Sequence, residues 1–338
     1  MAKNTDDFAL AKTQFIESVD VTSTKVLRAQ KIVFFCGGKI DTINQANIGP
    51  QSLRSFFHHK LENDTAMADI RFIRAEQLSK WYFDALKAGI QFDNLLVFET
   101  QMSYLSALTC IILESPGAIA ELGSFSVLKE FYGRLMIVLR DDEYETNSFI
   151  SLGPLRKLQT EHDDEGGVFV YRWQITKSVN NNQFRSVLDP NELHEVYDQF
   201  CTDLKNTIDS AQKTEKFNSN NLRHIFLLIP DLLAIFHCLK IREITELVKA
   251  FDKNITQKTI KNCLFFAAKL GLVVKKRDGG TDFFTSSTTK NFMNYGYSTG
   301  KFERVTFKMN VHQIIDSAEP QRKRVIKMNT SASEAADE

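Results

Sequence analysis

The sequence predicts an α/β protein, a doubly wound parallel sheet followed by a smaller winged helix-turn-helix domain. Three observations predict it. Predominantly apolar runs recur at 31–36 (KIVFFC), 108–113 (LTCIIL) and 135–139 (LMIVL). Such runs suit strands buried on both faces of a parallel sheet. Segments of helical spacing alternate with them, which gives the doubly wound arrangement. Beyond residue 221 the pattern changes to three helices and a hairpin.

Residues 1–30 are polar and mixed and predict an N-terminal arm, loose or helical. The strand 31–36 ends at Gly37-Gly38, which permits a tight turn. Residues 50–61 place Leu53, Phe56, Phe57 and Leu61 at helical spacing. A short strand at 70–73 and helices at 78–88 and 92–107 lead to the strand 108–113. A helix over 116–131 opens on Pro116, where proline is tolerated. After the strand 135–139, residues 141–146 and 160–167 read as charged loops, and Gly167 opens the strand-like GVFVYRWQI. Residues 191–211 predict a helix with Leu193, Val196, Tyr197, Phe200, Leu204 and Ile208 on one face. The polar run 212–221 marks the boundary between a domain at 31–211 and a second at 220–310. A flexible tail, basic then acidic, is expected over 311–338. Within the second domain, helices are predicted at 222–239 (with Pro230 a point of kinking), 242–251 and 256–270. Strand-like pieces then flank Asp278-Gly279-Gly280, a hairpin signal.

The chain has 338 residues, 43% hydrophobic and 25% charged, enough for two domains with cores of their own. No apolar run reaches the ~18 residues of a membrane span, and the first residues lack a signal-peptide core. Cysteines at 36, 110, 201, 238 and 263 form no CxxC pair. Reduced thiols in a cytoplasmic protein follow, with no disulfide framework and no metal site. The net charge of zero conceals an asymmetry. Residues 1–210 hold 21 Lys+Arg against 29 Asp+Glu, whereas residues 211–330 hold 21 against 10. The basic second part is a candidate for meeting phosphates.

In open α/β sheets, ligands bind at the C-terminal ends of strands beside helix N-termini. That rule selects Gly37-Gly38 and the run Glu114-Ser115-Pro116-Gly117 through Glu121. Gly117 and Ala118 are small enough to let a ligand approach the backbone, and the first-turn amides of 41–52 or of 116–121 could receive phosphates. Glu121 falls in the first turns of an otherwise apolar helix, where a carboxylate keeps its charge easily. A carboxylate of that kind suits attack at a sugar anomeric carbon. Glu114 at the strand end could orient a ribose hydroxyl or share a proton, and Glu99 is a third acid within reach. The bland readings are a helix cap for Glu121, a helix face for His58-His59 and inert core thiols for Cys36 and Cys110. In the second domain Lys258, Lys261, Lys269, Lys275, Lys276 and Arg277 concentrate on the third helix and wing, the elements that face nucleic acid in a winged helix. Arg322-Lys323-Arg324 adds a second basic cluster near the end.

The blocks strand-CGG, IILESPGAIAELGSFS and SFISLGPLRKL, with the downstream winged-helix pattern, resemble the nucleoside-deoxyribosyltransferase-like effector proteins of bacterial retrons. The resemblance spans roughly residues 30–160 and 220–290. It implies a toxic effector of an anti-phage defence system, held by a reverse transcriptase and its RNA-linked DNA, the msDNA. It implies cleavage of an N-glycosidic bond with NAD+ as substrate rather than cofactor, and self-assembly, since such transferases often complete their sites between subunits. Glu121 matches the family's nucleophile, Gly37 and Gly38 the loop beneath the sugar or phosphate, and Glu99 an acid before the central strand. Glu76, after the second strand, borders the same pocket. Typical deoxyribosyltransferases carry an Asp six residues before the nucleophile. Here Ser115 stands there, which points to simple cleavage over base exchange. Two other readings compete: a non-catalytic nucleotide-sensing DNA-binding regulator, and a nucleoside 2-deoxyribosyltransferase of salvage.

Overall fold

The computed structural model describes residues 7–27, 31–41, 50–141, 144, 147–161, 167–180, 183–188, 192–211, 214–297 and 303–334. In chain order the elements are α1 (Asp7–Ser18), β1 (Val19–Val26), β2 (Lys31–Cys36), α2 (Leu53–Leu61), β3 (Ile70–Arg74), α3 (Ala75–Lys87), α4 (Leu95–Leu105), β4 (Leu108–Ile112), α5 (Pro116–Phe125), β5 (Leu135–Arg140), α6 (Arg156–Glu161), β6 (Val168–Tyr171), β7 (Ile175–Asn180), β8 (Gln183–Leu188) and α7 (Leu193–Ala211). They continue with β9 (Glu215–Lys216), α8 (Leu222–Phe236), α9 (Ile241–Phe251), α10 (Gln257–Lys269), β10 (Val273–Asp278), β11 (Thr281–Ser286), β12 (Met293–Tyr297), α11 (Arg304–Ala318) and α12 (Pro320–Glu334). The chain divides into two compact units. One comprises Gln30–Tyr82 and Phe92–Lys213, the other Met1–Ala29, Phe83–Gln91 and Thr214–Glu338.

The first unit is built on a five-stranded sheet in the order β3-β2-β4-β5-β6, parallel throughout. Its inner strands are buried along nearly their whole length, which is why they read as unbroken apolar runs. Val33, Phe35, Leu108, Cys110, Ile112, Met136 and Val138 share a core with Phe57 of α2 and Phe200, Leu204 and Ile208 of α7. Phe57 and Phe200 stack with centroids 4.2 Å apart. The first strand of the sheet, β2, lies inside it. The chain moves outward to β3 and then returns to the other side of β2 as β4, so the winding reverses between β2 and β4.

Several boundaries differ from those the sequence predicts. α4 begins at Leu95 because Asn94 Oδ1 caps it, accepting the Val97 N–H at 2.9 Å. The helix expected over 116–131 stops at Phe125 and resumes as a single 3-10 turn, Lys129–Phe131. The strand-like GVFVYRWQI splits: β6 joins the parallel sheet and β7 pairs antiparallel with β8. Parts of the predicted loops at 141–146 and 160–167 lie outside the described residues.

In the second unit, α8, α9 and α10 are followed by the antiparallel hairpin β10–β11, and Leu239 forms an isolated bridge to Phe284 of β11. α8 runs unbroken through Pro230 and ends at Phe236. A three-stranded sheet, β12-β1-β9, completes the unit. The arm is not loose. Phe8, Ala11, Lys12 and Phe15 recur at helical spacing and are buried. Phe15 meets Phe236 and Tyr295 edge to face, at 5.4 and 5.3 Å. β1 is fixed by pairing with β12. The expected flexible tail is also helical, through α11 and α12 to Glu334. Arg322, read as part of an exposed basic cluster, is buried. It donates to Glu243 and Glu319 and to the Cys238 carbonyl, and lies 3.9 Å from the Phe8 ring centroid. Arg324 pairs with Asp278 and Lys323 with Asp316, so that cluster serves the fold.

Candidate functional site

The reversal of winding between β2 and β4 leaves a crevice at the C-terminal ends of those strands, the usual ligand site of an open sheet. Two loops meet there. Ser115 Oγ donates to the Gly37 carbonyl at 3.1 Å and accepts the Ala118 N–H at 3.2 Å, capping α5 while holding the loop after β2. Gly38 is required by close approach. A Cβ there would lie 2.7 Å from Ser52 Cβ and 2.9 Å from Glu114 Oε1. At Gly37 (φ +152°) a Cβ would lie 2.9 Å from Arg54 Cδ.

Glu114 is a clasp. Its Oε1 accepts the N–H groups of Gly38 (3.1 Å) and Arg54 (2.9 Å), and its Oε2 accepts that of Leu53 (2.7 Å). Three of a carboxylate's roughly four acceptor sites are therefore filled. Burial pushes its pKa up, and the three N–H bonds and Arg54 pull against that. The catalytic role that the sequence suggested for Glu114 gives way to this one. The carboxylate thus occupies the Leu53 and Arg54 amides at the start of α2, and most of the segment 41–52 expected to receive a phosphate lies outside the described residues.

Arg54 is almost fully buried and organises the floor of the crevice. Nη1 donates to the Gly38 carbonyl and to Glu76 Oε1, both at 2.9 Å, and Nη2 donates to Glu76 Oε2 at 2.7 Å. This bidentate pair fixes the head of Glu76. Burial tends to raise the Glu76 pKa, but the bonds and charge of Arg54 hold it below the ordinary value.

Glu121, Glu99 and Cys36 form the second cluster. Glu121 lies on the second turn of α5. Burial pushes its pKa above the ordinary glutamate value, against the hydrogen bond from the Cys36 thiol and the charge of Arg54. The helix terminus does not dominate here, contrary to the sequence expectation. Glu99, on α4, is pushed up to about 7, first by burial and then by the charge of Glu121. The two carboxyls thus share one electrostatic environment, and Glu99 holds its proton well above the ordinary glutamate range. A pair of this kind can divide into a charged group and a proton carrier. Cys36 is fully buried, and its pKa is raised by burial and then by Glu121, so it stays a thiol donating to that carboxylate.

Among the other residues singled out, Ser115 is a helix cap, and Gly117 is exposed, where a Cβ would meet Ser115 Oγ at an ordinary contact distance of 3.9 Å. Arg54 and the role of Cys36 escaped sequence reasoning. The available signal for Arg54 was a cation on the apolar face of 50–61. His58, His59 and Glu62 bring their ligand atoms within 4.8 Å of one another. The Arg74 guanidinium, 3.2 Å from His58 Nε2, places a cation where a metal would bind.

The basic residues of the second unit sort differently from the sequence expectation. Lys258 and Lys261 are exposed on α10. Lys269 Nζ is 2.6 Å from Asp84 Oδ2. Lys275 and Arg277 share one face of β10 and one acid, Asp282, at 2.7 and 3.9 Å. Lys276 points to the other face, so Lys275-Lys276-Arg277 is not a single cationic cluster.

No helix among the described residues is long and apolar enough to cross a membrane. The family described as STM3845 retron effector protein matches residues 50–275, about two-thirds of the chain. An Escherichia coli protein named "Retron Ec73 putative ribosyltransferase/DNA-binding protein" is 24% identical over 259 residues, covering 73% of this chain and 75% of that protein. The matched segment contains Arg54, Glu76, Glu99, Glu114 and Glu121.

Proposed function

The chain belongs to the STM3845 retron effector family, and on that premise we propose that it is a toxic effector that cleaves an N-glycosidic bond, with NAD+ as the favoured substrate. The observation that carries this reading is the Glu99–Glu121 pair at the winding reversal, one acid pushed up to about 7 beside a second. The name of the Escherichia coli relative, a ribosyltransferase, supports the same class of chemistry.

In the proposed reaction the nucleotide lies over Gly37-Gly38 with C1′ of its ribose facing Glu121. The C1′–N bond breaks and its electron pair returns to the nicotinamide ring, neutralising its positive charge. No proton is needed by that leaving group. The Glu121 carboxylate meets the oxocarbenium-like centre and closes a glycosyl ester. Closing the ester removes the Glu121 charge that helps raise the Glu99 pKa, so Glu99 releases its proton to solvent and then takes one from water as the water attacks C1′ and Glu121 leaves as a carboxylate. Glu76, fixed by Arg54, faces the ribose hydroxyls. Glu114 holds the Gly38 loop against α2 so that this floor does not move.

The second unit is proposed as a winged helix, with α8, α9 and α10 as its helices and β10–β11 as its wing. Lys258 and Lys261 would meet nucleic-acid phosphates, with msDNA the target and the reverse transcriptase a further partner in a higher assembly. The test is the NAD+ content of cells expressing the chain beside Glu121→Gln, each with and without the reverse transcriptase–msDNA complex. Depletion by the parent alone supports the reading. Unchanged NAD+ under every condition, with the nucleotide-bound protein still recovered, favours the non-catalytic sensor.

A further inference from the structure

A cleft of about 560 Å³ lies within the second unit, among α8, β10, α11 and α12 and the hydroxyl run 286–289 (SSTT). Its charge is one-sided. Lys276 and Lys308 line it beside His237, whose pKa burial lowers, and no carboxylate does among the described residues. Strand periodicity explains how Lys276 comes to be there. Its neighbours Lys275 and Arg277 face Asp282, while Lys276 shares the opposite face with Val274. Lys276 is partly buried and forms no ion pair among the described residues, and burial lowers its pKa. Leu233 and Ile326 supply an apolar wall.

The rim is unusually shaped. His237 (φ +59°, ψ −44°) is the one non-glycine residue with positive φ among those described. It is the centre of a γ-turn closed by the Cys238 N–H donating to the Phe236 carbonyl at 2.6 Å. Turns of this hand are rare and strained. Its ring Nε2 lies 3.1 Å from the Lys308 carbonyl, which joins α8 to α11 at the mouth. The hydroxyl run is folded on itself, with Ser286 Oγ donating to the Thr288 carbonyl at 3.1 Å.

A cleft of this size with two ammonium groups, a run of hydroxyls and an apolar wall suits a ligand that is part anion and part planar ring. We propose that it binds the phosphate of a nucleotide between Lys276 and Lys308, with the base along Leu233 and Ile326. The phosphate can belong to a free mononucleotide or to the end of a strand. The site is separate from the sheet crevice and does not depend on the chemistry proposed there.

The full chain is titrated calorimetrically with thymidine 5′-monophosphate and with 5′-phosphorylated tetrathymidylate, beside thymidine and the unphosphorylated tetramer. The phosphorylated probes are expected to bind at least about tenfold more tightly than their controls, the order of charge-assisted hydrogen bonds. The double variant Lys276→Met with Lys308→Met should erase that preference. A preference confined to the tetramer identifies a strand end, and an equal preference for the mononucleotide identifies a free nucleotide. No preference in the parent, or one that survives in the double variant, overturns the proposal. If the double variant melts early, photo-crosslinking of 4-thiothymidine 5′-monophosphate to the unaltered chain decides. Adducts on α8 or on 286–289 support the site, and adducts confined to the sheet unit overturn it.

Discussion

Glu99→Gln isolates the protonation argument on which the sheet crevice rests. The carboxyl is lifted from an ordinary 4.5 to about 7, first by burial and then by Glu121. Below pH 4.5 it is neutral in the folded and unfolded chain alike, and it costs nothing. Between 4.5 and about 7 the unfolded chain loses its proton while the folded chain keeps it, so stability falls as pH rises. Above about 7 the full cost is present. At 1.36 kcal/mol per pKa unit the lift would amount to about 3 kcal/mol before screening. Glu99 is only part-buried, and solvent screening reduces this to about 1–2 kcal/mol. Glutamine carries no proton to lose, so the variant lacks this contribution. Urea unfolding of both proteins at pH 4.5, 6 and 8 should show the variant gaining about 1–2 kcal/mol on the parent across that range. A difference that is flat with pH, or that favours the parent as pH rises, refutes the assignment of a raised pKa to Glu99.

Glu114→Gln replaces an acceptor with an amide NH₂ facing the backbone N–H groups of Leu53, Arg54 or Gly38, and should cost about 1.5–3 kcal/mol by thermal melting. Asp231 is fully buried and accepts from Arg304, the Tyr295 hydroxyl and the N–H groups of Phe292 and Met293. Asp231→Ala strands the Arg304 guanidinium and should cost about 3–5 kcal/mol, read by denaturant midpoint. Lys258→Ala with Lys261→Ala should reduce the slope of log affinity for DNA against log salt by about two, while Lys269→Ala, whose ammonium is engaged by Asp84, should change it less. An unchanged slope in the first pair removes α10 from the nucleic-acid surface.

The parallel sheet was legible in the sequence because its inner strands are buried on both faces, and after Lys31 the run IVFFC is apolar without a break. The crevice was legible for the same reason, since a known strand end and a Gly-Gly turn locate it. Glu114 was found as a residue and misread in its role. Its three donors lie 60 to 76 positions away in the chain, and no spacing rule reaches them. Arg54 was missed because a cation on an apolar face reads as a break in the pattern until Glu76 and the Gly38 carbonyl are brought to it. The N-terminal helix could have been read from Phe8, Ala11, Lys12 and Phe15. The C-terminal helix could not. α12 is polar, and its place depends on Arg322 meeting Glu243 and the ring of Phe8. On β10 a run of three cations looked like one cluster, and only the period of two in a strand divides it.

The central claim is that Glu121 is the group that meets the anomeric carbon. The measurement that tests it most directly is the rate of nicotinamide release from NAD+ by the purified chain, alone and in its reverse transcriptase–msDNA complex, beside Glu121→Gln. Release by the parent is expected, with a fall of roughly a thousandfold or more in the variant and a melting temperature no lower than the parent's, since glutamine removes a carboxyl whose charge burial disfavours. Release by Glu121→Gln at the parental rate would contradict it.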